Sequence, residues 1–198
     1  YGRRYLAGAI RYYQGNSMCI SVHRMKVIYV DSYRSCGTVG TVALCKAEKG
    51  WDDCCPFFDD DGQLYFVGTH FADKYKTYLY RMTPDGKTLI ENSKILINEG
   101  YGREASKLYK INGTYYHFFS EVKNGGRYIM MQRSSSITGP YLERKQLSHV
   151  QREYNEPNQG GLVEGPDRKW YFFTHHGTGD WAGRIASLLP VYWVDGWP

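Results

Sequence analysis

The sequence predicts an all-β fold of the β-propeller kind, a ring of small antiparallel sheets. Three observations predict it. Aromatic residues make up 16% of the 198 residues, Tyr alone accounts for 19 positions, and 22 Gly accompany them. That mixture suits many short strands joined by tight turns. The long runs of Ala, Leu, Glu and Lys that would build helices are missing. Most tellingly, a polar turn with Gly or Asp followed by an aromatic-rich strand recurs about every 50 residues: DDDGQLYFVGTH (59–70), INGTYYHFFSE (111–121) and GPDRKWYFFTHH (165–176). This is the period expected of a propeller blade.

Within a repeat a second strand follows the first. YKTYLYRM (75–82) follows one aromatic strand and GRYIMMQRS (126–134) the next. Turns punctuate them at Pro84-Asp85-Gly86, Asn124-Gly125-Gly126 and Gly139-Pro140. An all-β sandwich is the other architecture open to such a chain, but its strands arrive roughly every 8–12 residues without a longer repeat.

The N-terminal stretch breaks the pattern. YLAGAIRYYQGN (5–16) looks like the start of another repeat, yet residues 17–43 lose the aromatic alternation. Regrouping the permitted codons of SMCISVHRMKVI (17–28) by one frame allows FYVYFCTPDEGY, with Val for Cys19 and Glu for Lys26 forced by the code. The expectation is therefore that 17–43 do not encode a native blade strand as written, against the plainer reading of a divergent loop. Burying His23, Arg24 and Lys26 between blades would be costly unless they were paired.

Composition excludes several classes. The formal charge of +5 comes from scattered Lys and Arg, not from a basic stripe, so nucleic acid is not an expected partner. No apolar run is long enough to span a membrane. Cys19, Cys36, Cys45, Cys54 and Cys55 are odd in number and match neither a disulfide framework nor a zinc spacing, so they read as buried or incidental thiols. No signal peptide opens the chain, and the location of the protein is left open.

Three segments hold the residues of chemical interest. REASKLYKINGTYYHFFSE (103–121) places Glu104 just before an apolar strand and its turn. WDDCCPFFDDDGQLYFV (51–67) places Asp53 ahead of Pro56 and an acidic turn. NQGGLVEGPDRKWYFFTHHGTGDWAGRIASLLPVYWVDGWP (158–198) runs from Gln159 through an aromatic strand to His175 and His176, then to Gly183-Arg184. Each has a structural reading too. Glu104 could be solvated at a strand edge, and a lone His on an aromatic strand is commonly a hydrogen-bonder. Asp59, Asp60 and Asp61 read best as a hairpin turn. An acidic turn can hold calcium, but this spacing is not an EF-hand.

Taken together, the three segments resemble glycoside hydrolase family 43, five-bladed β-propellers that cut xylose or arabinose units from plant hemicellulose. The resemblance covers 1–16 and about 44–198. It implies a single partial catalytic domain over 1–198 with about four blades of five: 1–50 (partly aberrant), 51–98, 99–148 and 149–198. It implies an inverting glycosidase acting on xylan, arabinoxylan or arabinan, with both xylosidase and arabinofuranosidase open. Inversion needs an acid for the leaving oxygen and a carboxylate, roughly 6.5–9.5 Å away, to activate water. A third charged group commonly tunes the acid.

By resemblance Glu104 is the general acid, with Ala105-Ser106 standing where the family usually has Gly-Pro. Asp53 is the modulator of the acid's pKa, with Cys54 where the family usually has Pro. His175 lies near the propeller axis, where many members hold a calcium ion, often through water; His176 is the neighbour that could replace it. Arg184 and Gln159 reach the sugar, and Arg184 has the fixed fork of donors for paired oxygens. Glu164, directly before a Pro-Asp turn, is expected to face solvent. The family's general base, an aspartate of the first blade, has no match; Asp31 is no substitute. The base is therefore expected upstream of Tyr1, and the chain alone is expected to have low activity. The contrasting reading is a non-catalytic carbohydrate-binding propeller, in which aromatics stack on sugars and the acids are incidental. A transferase or phosphorylase has no phosphate-binding cluster to support it.

Overall fold

The alternation of apolar and polar residues between Gly, Asn and Asp turns builds four antiparallel sheets. The computed structural model describes the backbone of residues 5–13, 16–23, 26–33, 38–46, 49–148, 158–177 and 184–198, and the side chains of 9–12, 17–20, 45, 49–148, 159–175 and 185–198. The first sheet orders β1 (Tyr5–Tyr13), β2 (Asn16–His23), β3 (Lys26–Tyr33) and β4 (Thr38–Lys46) as a meander. The second orders β5 (Trp51–Phe58), β6 (Leu64–His70), β7 (Lys76–Arg81) and β8 (Ile95–Asn98), and the third β9 (Glu104–Ile111), β10 (Thr114–Lys123), β11 (Gly126–Ser134) and β12 (Glu143–Gln146). The fourth has three described strands, β13 (Asn158–Glu164), β14 (Trp170–Gly177) and β15 (Arg184–Val191).

Turn chemistry fixes the register. The β9–β10 and β10–β11 hairpins close on Asn112-Gly113 and Asn124-Gly125, all four at positive φ between 51° and 77°. A two-residue loop of that twist needs positive φ at both positions, which Asn-Gly supplies.

The sheets pack face to face in sequence: β1 lies on β5, β5 on β9, and β13 on β9 and β10. Three apolar layers fill the gaps. Trp51, Phe66 and Tyr80, fully buried, meet Met18 and Ile20 between the first two sheets. Cys55, Phe57 and Val67 meet Leu108 and Tyr115 between the second and third. Phe118, Ile129 and Met131 meet Leu162 and Trp197 between the third and fourth. Each such large side chain taken from water contributes about 1.5–3 kcal/mol. Four sheets rather than two rule out the sandwich.

Within 17–43, expected not to encode a native blade strand as written, the described residues 17–23, 26–33 and 38–43 carry paired backbone. β2 and β3 match residue for residue from Asn16↔Tyr33 to His23↔Lys26, and Met18 and Ile20 are buried at 7% and 0% exposure. His23, Arg24 and Lys26, on which the packing objection rested, have side chains outside the described residues. Cys19, Cys45, Cys54 and Cys55 are free thiols; Cys36 lies outside the described residues.

Candidate active site

The first strand of every sheet carries the same irregularity. In β5, Asp52 pairs Thr69 and Cys55 pairs Val67, so Asp53 and Cys54 together oppose one residue. In β9, Glu104 pairs Ser120 and Lys107 pairs Phe118, leaving Ala105 and Ser106. In β13, Asn158 pairs His175 and Gly161 pairs Phe173, leaving Gln159 and Gly160. β1 repeats it between Leu6 and Ala9. A bulge of this kind bends the strand and re-aims a side chain. In three of the four the first bulged residue has left-handed backbone: Asp53 at φ 49°, Ala105 at 64° and Gln159 at 57°. A non-Gly residue there costs roughly 1–2 kcal/mol, and such strain collects at functional sites.

The bulges bring the three strands together at one point. Asp53, 2% exposed, accepts the Ala105 backbone N–H on Oδ2 at 2.8 Å and the Gln159 Nε2 on the same oxygen at 3.2 Å. Burial pushes the Asp53 carboxyl up to about 6; Lys107 opposes this, Asp52 and Glu104 add to it, and the Ala105 N–H opposes it. Gly160 allows β13 to approach, since a Cβ there would stand 2.0 Å from the Phe173 carbonyl oxygen. Thr174 Oγ1 then donates to the Gln159 carbonyl at 3.1 Å.

Asp53, Lys107, Gln159 and His175 line a cavity of about 430 Å³, closed on one side by Ala9, Ile10 and Arg11 of β1. The Arg11 guanidinium lies 5.4 Å from the centre of the Tyr109 ring. Glu104 opens β9, and its Oε1 accepts a hydrogen bond from Arg127 Nη1 of β11. Lys107 Nζ donates to the carbonyls of Ala105 and Ser106 at 3.4 Å.

The sequence-predicted residues therefore divide. Asp53, Gln159 and His175 share the cavity, and Glu104 immediately precedes the residue that bonds Asp53. Arg184 opens β15 opposite Gly177, but its side chain and that of His176 lie outside the described residues, as does that of Asp31. Glu164 is exposed and lines a different groove, with Trp170, Trp193 and Arg133. Asp59 belongs to the hairpin: it accepts from Lys110 at 2.7 Å and Tyr115 at 2.6 Å. Burial works against it, yet these bonds hold its carboxyl below the usual value.

Three groups escaped sequence reasoning. Lys107 and Arg127 sit in strands whose alternation makes them look like solvent-facing positions, and Arg11 lies in the stretch of weakest pattern. Among the described residues no three His, Cys, Asp or Glu side chains gather as a metal cluster.

Residues 31–198 match the family described as Glycosyl hydrolases family 43. The chain belongs to this family. Family 43 enzymes are β-propellers, which agrees with the all-β chain of four successive sheets. The chain is 33% identical over 193 residues to a putative beta-xylosidase of Xylanibacter ruminicola, and 29% identical over 224 residues to a beta-xylosidase of Formosa agariphila. Each match takes in 97% of this chain but 37% of the relative, so the chain spans little more than a third of the length of these curated relatives. Among solved family structures, a bifunctional GH43-CE protein of Bacteroides eggerthii superposes with a TM-score of 0.84 at 29% identity, covering 100% of this chain and 26% of that one. A xylan beta-1,4-xylosidase of Bacillus halodurans shares the fold, with a TM-score of 0.79 at 20% identity over 98% of this chain and 42% of that one. The family is one of glycosyl hydrolases, and both curated relatives carry the name beta-xylosidase.

Proposed function

We propose that this chain is the acid-bearing part of an inverting glycosidase that cleaves xylosyl or arabinofuranosyl linkages in xylan, arabinoxylan or arabinan. Glu104 is the general acid and Asp53 the group that tunes it. The observation that carries this reading is the Ala105 N–H to Asp53 bond at 2.8 Å, which ties the strand opened by Glu104 to a buried carboxylate in a cavity. Above about pH 6 Asp53 is ionised. Glu104 then gives its proton to the leaving oxygen as the glycosidic bond breaks. Gln159, Arg184 and Arg11 supply donors to sugar hydroxyls, with Gln159 also holding Asp53. His175 forms a polar wall of the cavity.

Water attack from the opposite face requires a second carboxylate. We assign that role to an aspartate of a further blade, the four sheets standing for blades 1–50, 51–98, 99–148 and 149–198 of a five-bladed ring. The distribution of exposed apolar side chains supports a further blade. Ile10 and Tyr12 of β1 are 67% and 72% exposed, and Phe173 and Leu188 of the last sheet are 52% and 59% exposed. Among the described residues the first of these sheets packs its strands on β5 and the last on β9, β10 and β11. On this reading the chain alone hydrolyses aryl xylosides or arabinofuranosides slowly, because general-base assistance contributes about 10²–10⁴-fold. Initial rates on both substrate types test it. A rate limited by the missing base should rise on adding azide, a small anion that attacks without a general base; a rate unmoved by azide counts against the proposal.

A further inference from the structure

The bulge that brings Ala105 to Asp53 is fastened from behind by a buried polar chain that the proposed reaction does not itself use. Ser106, its second residue, is fully buried, as are His117 and Thr77, with Gln132 and Thr69 at 1% exposure. Ser106 Oγ lies 3.1 Å from His117 Nε2, 3.4 Å from Thr77 Oγ1 and 3.5 Å from Thr69 Oγ1. Gln132 Nε2 lies 3.0 Å from His117 Nδ1 and also donates to the Ile97 carbonyl at 3.3 Å. Arg144 Nη2 donates to Gln132 Oε1 at 3.0 Å.

The donors in this chain all point one way. Arginine only donates, so the Gln132 oxygen faces Arg144 and its amide nitrogen faces His117 Nδ1. His117 Nδ1 therefore accepts, and in the neutral ring Nε2 carries the proton and donates to Ser106. Burial, with Arg144, Arg103 and Lys107 adding to it, pushes the imidazole down to about 3, which keeps it neutral. Ser106 is left with its own proton for Thr69 or Thr77, both on the second sheet, so a hydroxyl with one donor and two acceptor sites is satisfied. The chain runs from β12 through β11, β10 and β9 to the sheet that bears Asp53.

We propose that Ser106 and His117 are positioning residues: the chain Arg144–Gln132–His117–Ser106 holds the β9 bulge in the shape that turns the Ala105 N–H onto Asp53 and presents Glu104. The catalytic meaning of that shape rests on the function proposed above; the positioning itself does not. A strained bulge persists only where its surroundings over-determine it, and Ala105-Ser106 has neither the freedom of glycine nor the fixed φ of proline to hold it. Three hydrogen-bond partners on one hydroxyl supply the restraint.

The test needs no turnover. Ala105 amide hydrogen exchange and the Asp53 carboxyl titration, followed by carbon-13 NMR, are compared in the wild-type chain, His117→Leu, His117→Gln and Ser106→Ala. His117→Leu should speed Ala105 exchange by about tenfold or more, the equivalent of losing one hydrogen bond. It should also move the Asp53 midpoint upward from about 6, since the lost N–H favoured the ionised form. His117→Gln, which can reach Ser106 with its own amide, should restore both, and Ser106→Ala should follow His117→Leu. Should His117→Leu fail to fold, Ser106→Ala decides. A fall in melting temperature with Ala105 exchange and the Asp53 midpoint unchanged would make the chain a structural network only and overturn the proposal. Unaltered hydrolysis in Glu104→Gln would sink the function reading without touching this one.

Discussion

Asp53 of β5 and Ala105 of β9, on neighbouring sheets, are joined by a 2.8 Å hydrogen bond from the Ala105 backbone N–H to Asp53 Oδ2. Both are first residues of a bulge and both have positive φ. The bond therefore exists because two strands bend at the same height. It leaves a nearly fully buried carboxyl with few donors, whose proton is held up to about pH 6.

That proton makes Asp53 a burden on stability at neutral pH. The folded value, about 6, lies above the unfolded 3.8, so between those values the folded state binds the proton more tightly. Stability from this group is greatest below about pH 4 and is lost as pH rises through 6. Asp53→Asn should be more stable than wild type by up to about 3 kcal/mol at pH 8, with the advantage gone near pH 4. Chemical denaturation at both pH values checks it; a pH-independent difference would contradict the assignment of the shift to Asp53.

Backbone strain at the bulges gives a second pair of outcomes. Ala105→Gly should stabilise by about 1 kcal/mol, the relief of a left-handed alanine less the added freedom of the unfolded chain. Gly160→Ala should destabilise by roughly 2–3 kcal/mol, because its Cβ would meet the Phe173 carbonyl oxygen at 2.0 Å. It should also weaken the Gln159 contact to Asp53. Melting temperatures of the two variants read these signs directly.

The apolar faces of the outer sheets predict association. With Ile10, Tyr12, Phe173 and Leu188 half or more exposed, the isolated chain should self-associate at micromolar concentration and bind a hydrophobic dye. Phe173→Ser with Leu188→Lys should reduce both. Sedimentation velocity distinguishes this from a chain that stays monomeric and dye-free, which would mean the faces need no cover.

Much of the architecture was legible because turn and strand chemistry repeat along the chain. Asn-Gly turns, aromatic strands and the period near 50 residues announced the sheets. At 17–43 the described backbone pairs as strands with little aromatic alternation, and backbone pairing leaves no mark in side-chain pattern. At the site, resemblance singled out Asp53 and Gln159, but not the reason they meet. A bulge is a property of pairing between two strands, invisible in either one alone. Ser106 and His117 were hidden for the same cause: their partners come from five different strands. Lys107, Arg127 and Arg11 gave no signal beyond ordinary strand cations.

The most direct test of the central claim is the leaving-group dependence of Glu104→Gln on aryl xylosides and arabinofuranosides. A general acid matters most where the departing oxygen is basic. In the intact enzyme, with the further blade in place, Glu104→Gln should therefore cost about 10²–10⁴-fold in kcat/KM on phenyl glycosides and less than about tenfold on dinitrophenyl glycosides, whose leaving group departs without a proton. Equal losses on both, or no loss on either, would contradict an acid role for Glu104.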